Sequence, residues 1–155
     1  MTPRRISNDL VHESPEPLNE NTTLAEAVRR LVKTDLPALP VVGGDEQLKG
    51  IFGEREFLAA IFPGYLKELK HAGFVKRGLD TALELREACG QERVGQHMNT
   101  EHLEVGPNFS DVEVADIFLH HDVLIIPVLD SGRVVGILIR HDFVKVLADR
   151  LIGGE

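Results

Sequence analysis

What the chain has little of narrows the reading first. It holds a single cysteine, Cys89, so no internal disulfide can form and nothing points to an oxidising compartment. No apolar run approaches the roughly 20 residues that cross a bilayer. Behind Arg4 and Arg5 there is no apolar stretch to make a secretory signal. The expectation is a cytoplasmic protein with no membrane partner. Basic residues are also few: 17 Lys and Arg against 25 Asp and Glu give a net charge of −8. Phosphate backbones are bound by clustered Lys and Arg, so no nucleic-acid partner is expected. Nucleophile-elbow, Walker and G-x-G-x-x-G patterns are missing, and with them any reason to name a catalytic residue. The pair His120 and His121 is adjacent rather than four apart, and there is no H-E-x-x-H or paired-cysteine pattern, so no metal ligand set is expected. Cys89, next to Gly90, reads as a structural thiol.

What is present is enough for a core. A chain of 155 residues, 43% hydrophobic and 27% charged, suits one compact domain or two small ones that share an interior. The clearest stretch runs from Val123 to Lys145. Two apolar runs, Leu124 to Leu129 and Val134 to Ile139, flank Asp130, Ser131 and Gly132, which reads as strand, turn, strand. A helical pattern follows directly, with Phe143, Val144, Val146, Leu147 and Leu151 as its apolar members. Where a strand runs straight into a helix, free backbone N–H groups and the positive dipole end meet, which suits an anion.

This stretch has a twin. Thr23 and Ser110 each precede a Glu by three residues (Glu26, Glu113), the capping-box signature of a helix start. Leu24, Ala27, Val28, Leu31 and Val32 then mark one buried face, as do Val114, Ala115, Phe118 and Leu119 in the second copy. Apolar-Pro-Val segments follow, around Pro40 and Pro127. Thr23 to Ser110 and Pro40 to Pro127 are both 87 residues apart, and Gly50 to Gly136 is 86, one residue having been lost in the turn. The same register sets Val11 on Met98 and Leu18 on Val105. Each copy thus reads as strand, helix, strand, strand, helix, and neither can bury both faces of so small a sheet alone. The predicted architecture is an α/β (α+β) sandwich: two repeats about a pseudo-twofold, sheets together and helices outside. The repeats span residues 1–61 and 94–155. Between them lies a helical insertion, 62–93, with short helices expected around Tyr65, Leu66 and Leu69 and from Asp80 to Gly90. Its six Lys/Arg against five Asp/Glu give it the mixed charge of a solvated lid.

These motifs, in this order and in duplicate, resemble the cystathionine-β-synthase (CBS) domain, and two in tandem look like a Bateman module. The resemblance implies a homodimer of the pair. It also implies an adenosyl ligand, either an adenine nucleotide (AMP, ADP or ATP) or S-adenosylmethionine, held in clefts between the repeats. The family's ribose and phosphate signature is Gly-apolar-x-[Ser/Thr]-x-x-[Asp/Asn]. In the second copy Gly136 and Asp142 match it and Ile139 stands at the hydroxyl position. In the first copy Gly50 matches, with Gly53 at the hydroxyl position and Glu56 at the acid position. The second copy is the better match.

The residues support such a site in their own right. Asp142 could accept both ribose hydroxyls, or serve only to complement the dipole of its helix. Ile126 and Pro127, with the lead-in from Thr100 through Leu103 to Val105, could form the flat apolar walls that an adenine needs. Leu39 and Pro40 are their counterparts in the first copy. Arg140 and His141 lie where a phosphate would sit, as does Arg55 in the first copy. Two functions fit: a non-enzymatic regulatory module that senses an adenosyl ligand and passes its change of shape to a separate effector protein, or a ligand-free structural protein that docks a partner.

Overall fold

The computed structural model describes residues 11–13, 16–62 and 87–153. In order the elements are β1 (His12–Glu13), β2 (Leu18–Asn19), α1 (Leu24–Thr34), β3 (Ala38–Val42), β4 (Leu48–Gly53) and α2 (Glu54–Ile61). Two 3-10 turns follow, Glu87–Gln91 and Val94–Gln96, and then α3 (Asp111–His120), β5 (Ile125–Asp130), β6 (Arg133–Ile139) and α4 (Arg140–Ile152). The helix expected around Tyr65 to Leu69 lies outside the described residues. So does most of the one expected from Asp80, whose described end, Glu87–Gln91, is a 3-10 turn.

The duplication holds at the level of hydrogen bonds. Thr23 Oγ1 accepts from the Glu26 N–H at 3.2 Å and Ser110 Oγ from the Glu113 N–H at 3.1 Å, so α1 and α3 start alike. In α1 the Glu26 carboxylate also pairs with Arg29. Leu18 lies parallel beside Val41, and Val105 beside Val128. Both hairpins shift register at equivalent points, Val41/Val42 and Val128/Leu129. The turns differ in detail: Asp45 accepts from the Gln47 N–H at 3.0 Å, a bond that holds its carboxyl below the usual range.

Two three-stranded sheets result, in the orders β2-β3-β4 and β1-β6-β5. Strand residues alternate between faces. On one face of each sheet, Ala38 and Ile51 of one hairpin meet Ile125, Ile137 and Ile139 of the other, a buried layer between the sheets. The opposite faces carry the helices. Leu39, Val41 and Phe52 pack with Leu24, Ala27 and Leu31 of α1, and Ile126, Val128 and Leu138 pack with Val114 of α3 and Phe143 of α4. Val32 and Leu119, expected on those buried faces, are instead exposed at 72% and 78%. Each sits at the edge of its helix stripe, where the arc that the sheet covers has ended.

The copies also exchange their lead-ins. β1 opens the first copy but pairs antiparallel with β6 of the second, His12 beside Ile137. Reciprocally, Asn99 lies in the lead-in of the second copy but joins Ile51 of the first, with paired N–H to carbonyl bonds of 2.9 and 2.7 Å. Val94 and Cys89 are buried in the first copy's outer core and Val11 packs on the second copy's. The Leu24 N–H donates to Glu92 O at 2.7 Å and the Val94 N–H to Thr22 O at 2.8 Å, which seats this returning segment across the start of α1.

Candidate functional site

A narrow cleft of about 50 Å³ opens where the two hairpins meet at the strand-to-helix junction of the first copy. Pro37 and Ala38 form one wall, and Val123, Leu124 and Ile125 form the other, across from Ile51. Its polar rim is Gly53, Glu54, Arg55 and Glu56 at the start of α2, Asn99 and His102 from the exchanged lead-in, and Asp122.

Of the residues singled out from sequence, the structure brings Gly53, Arg55 and Glu56 together here. Leu39 and Ile126 are elsewhere: both lie in the outer cores under the helices. Because side chains alternate, a one-residue step along a strand changes the face. The apolar walls are therefore made one residue earlier, by Ala38 and Ile125. Pro40 and Pro127 are buried within their strands and do not line the cleft. In the lead-in, Thr100 is exposed and Leu103 half-buried; neither lines the cleft, whereas Asn99 and His102 do. His102 was not singled out from sequence, although the lead-in that carries it was. Its Nδ1 is buried without a hydrogen-bond partner, and its Nε2 lies 3.4 Å from Glu104.

The helix starts are less open than a bare strand-to-helix junction suggests. The Glu54 N–H donates to Pro37 O at 3.1 Å and, at the equivalent place, the Arg140 N–H donates to Leu124 O at 3.0 Å. Glu56 Oε1 accepts from the Gly53 N–H at 2.9 Å, capping α2. At the hydroxyl position of the first copy, a Cβ on Gly53 would meet Pro37 O at 2.6 Å and the Ala38 Cβ at 2.7 Å. The equivalent Ile139 is buried in the layer between the sheets.

In the second copy, Asp142 is half-buried in the first turn of α4, beside an exposed His141. By the repeat register the counterparts of Asn99 and His102 are His12 and Pro15, and residue 15 lies outside the described residues. Arg140 reaches the other way: its guanidinium lies 3.4 Å from Asp122 Oδ1, while that of Arg55 lies 3.5 Å from Asp122 Oδ2. One carboxylate thus joins the helix starts of the two copies.

Among the described residues no group of three or more His, Cys, Asp and Glu is placed to hold a metal. No helix there is long and apolar enough to cross a membrane.

Two α/β repeats joined sheet to sheet, with strands exchanged and a cleft at the seam, define a tandem-repeat module. The chain belongs to the CBS domain family, whose pattern matches residues 6–63 and 94–149. Among curated proteins it is similar to hypoxic response protein 1 of Mycobacterium tuberculosis, 24% identical over 146 residues, which cover 94% of this chain and 87% of that one. The fold is shared with the CBS domain of a CBS domain containing membrane protein from Sphaerobacter thermophilus (TM-score 0.69, 24% identity, 92% of this chain and 86% of that one). It is also shared with CBSX2, solved in complex with AMP (TM-score 0.66, 21% identity, 96% and 99%).

Proposed function

We propose that the protein is a non-enzymatic regulatory module that binds an adenosyl ligand in the cleft between its repeats. The single observation that carries this reading is the cleft itself. It has apolar walls from both hairpins, Ala38 and Ile51 against Leu124 and Ile125, and a rim that gathers Arg55, Glu56, Asn99 and His102. The AMP complex of the similarly folded CBSX2 suggests the ligand class. An adenine between the walls would find a polar partner for its edge in His102, whose Nδ1 is buried and unpartnered. Arg55 would face the phosphate. Because residues of both copies line the cleft, a ligand there acts on their mutual orientation. It shifts that orientation only as far as the alternatives bind it unequally.

The same reading includes a homodimer. Val32 of α1, Leu58 of α2, Val112 and Leu119 of α3, and Val144, Leu147 and Leu151 of α4 are exposed on the outer helices. A monomer gains nothing from showing water so much apolar helix surface, and a second copy would cover it. Sedimentation at micromolar concentration is expected to give a dimer, and the double change Leu147→Glu with Leu151→Glu a monomer. A monomeric parent chain would remove this element of the proposal. A separate effector protein would then read the dimer's shape.

A thermal-shift titration with AMP, ADP, ATP and S-adenosylmethionine tests the ligand. At about 100 times its dissociation constant a ligand adds about 2.7 kcal/mol, which for a chain of this size raises Tm by roughly 5–11 °C. Silence from all four, with the protein folded, would favour a second reading, a ligand-free interaction protein. Gly53, Glu56 and Ile139 lend that reading support. The first is closed in by Pro37 and Ala38, the second caps its own helix, and the third is buried between the sheets.

A further inference from the structure

The ion pairs at the mouth of the cleft bear on which adenosyl ligands it accepts. Asp122 lines the cleft immediately before the wall formed by Val123 to Ile125. Its two carboxylate oxygens are divided between Arg140, 3.4 Å away, and Arg55, 3.5 Å away. These are the first residue of α4 and the second of α2. Two guanidinium groups drawn from different copies toward one anion make the arrangement that would hold a phosphate, and a carboxylate of this chain already occupies it. The pairs are open to solvent, Asp122 being 82% exposed, Arg55 76% and Arg140 37%. Exposed pairs of this kind contribute little to stability and exchange readily. Glu54 and Glu56 add two more carboxylates to the rim. A phosphate entering the cleft therefore meets a rim that carries three carboxylates, and arginines that are already engaged.

We infer that Asp122 acts as an internal competitor for the ligand's phosphate and sets the charge selectivity of the cleft, holding down affinity for phosphorylated adenosyl ligands relative to uncharged adenosine. The inference rests on the adenosyl reading of the cleft. It makes Asp122 a specificity-determining residue: the nucleoside part is recognised by the walls, and each added phosphate must displace or face the carboxylate. Asp122→Asn keeps the shape and removes the charge. The arginines are then released to the ligand.

The experiment is isothermal titration of the full chain and of Asp122→Asn with adenosine, AMP and ATP, at 0.1 M and 0.5 M salt. A thermal melt of each protein establishes that both are folded. Expected is a gain of about fivefold for AMP and about tenfold for ATP in the variant, with adenosine changed by less than about twofold. The gain should shrink at the higher salt, where the Debye length drops well below 10 Å. An equal change for all three ligands would overturn the inference, leaving Asp122 a structural residue. Weaker AMP binding in the variant would also overturn it, by showing that Asp122 orients the arginines for the phosphate rather than competing with it. If adenosine binds and the variant gains nothing for AMP, the inference fails while the adenosyl reading stands. If no adenosyl ligand binds either protein, that reading fails and the inference falls with it.

Discussion

Dividing the chain between Phe74 and Val75 is expected to leave two halves that do not fold separately and that regain one cooperative melt when mixed. The reason is where the copies bury their surface. Ala38 and Ile51 of the first half are covered by Ile125, Ile137 and Ile139 of the second. At about 1.5–3 kcal/mol for each large aliphatic side chain, this layer alone contributes on the order of the net stability of a domain. The exchanged lead-ins add to it. The first half would lose Val94, 0% exposed, and Cys89, 6% exposed, from its core, and the second half would lose the pairing of β1 with β6. Circular dichroism melts of each half and of the mixture decide the matter. A half that melts cooperatively alone would show that the repeats are independent domains.

Gly53→Thr, which installs the hydroxyl of the family signature in the first copy, is expected to cost about 3 kcal/mol, at the upper end for overpacking. Tm should fall by roughly 6–12 °C. The added Cβ would meet a backbone carbonyl, Pro37 O at 2.6 Å, as well as the Ala38 Cβ at 2.7 Å and Cα at 3.1 Å, and none of these is the mobile end of a long side chain. Moving them opens the β3–β4 pair at Ala38 and Gly53, its last register position. The variant should therefore lose stability without gaining affinity for AMP. A variant as stable as the parent that binds AMP more tightly would show that the hydroxyl fits and that the close approach relaxes at little cost.

The repeat was legible because capping, strand and turn residues recur at a nearly constant spacing, and local chemistry makes those elements wherever they occur. The wall of the cleft was less so. In the runs Ala38-Leu39-Pro40 and Ile125-Ile126-Pro127 every residue is apolar, so pattern alone does not say which face of the strand meets the partner sheet. Ala38 and Ile125 proved to face the other sheet, and Leu39 and Ile126 the helices. His102 and Asp122 carry no signal in their immediate neighbours. They matter because the second copy's lead-in and the loop before its β5 converge on α2 of the first copy.

By itself the sequence determined the unit, its duplication, the family and the positions where the binding signature departs from the family's. These follow from interactions between residues a few places apart, which an unaligned chain displays in full. Only the tertiary structure decided that the copies trade lead-ins, that Gly53 is closed in by Pro37 and Ala38, and that Arg55 and Arg140 share Asp122. The Gly53 contacts close within one hairpin, at the Ala38–Gly53 pair, whereas the other two join segments far apart along the chain. Their meeting depends on how two small sheets cover each other's apolar faces, a choice made by burial across the whole molecule.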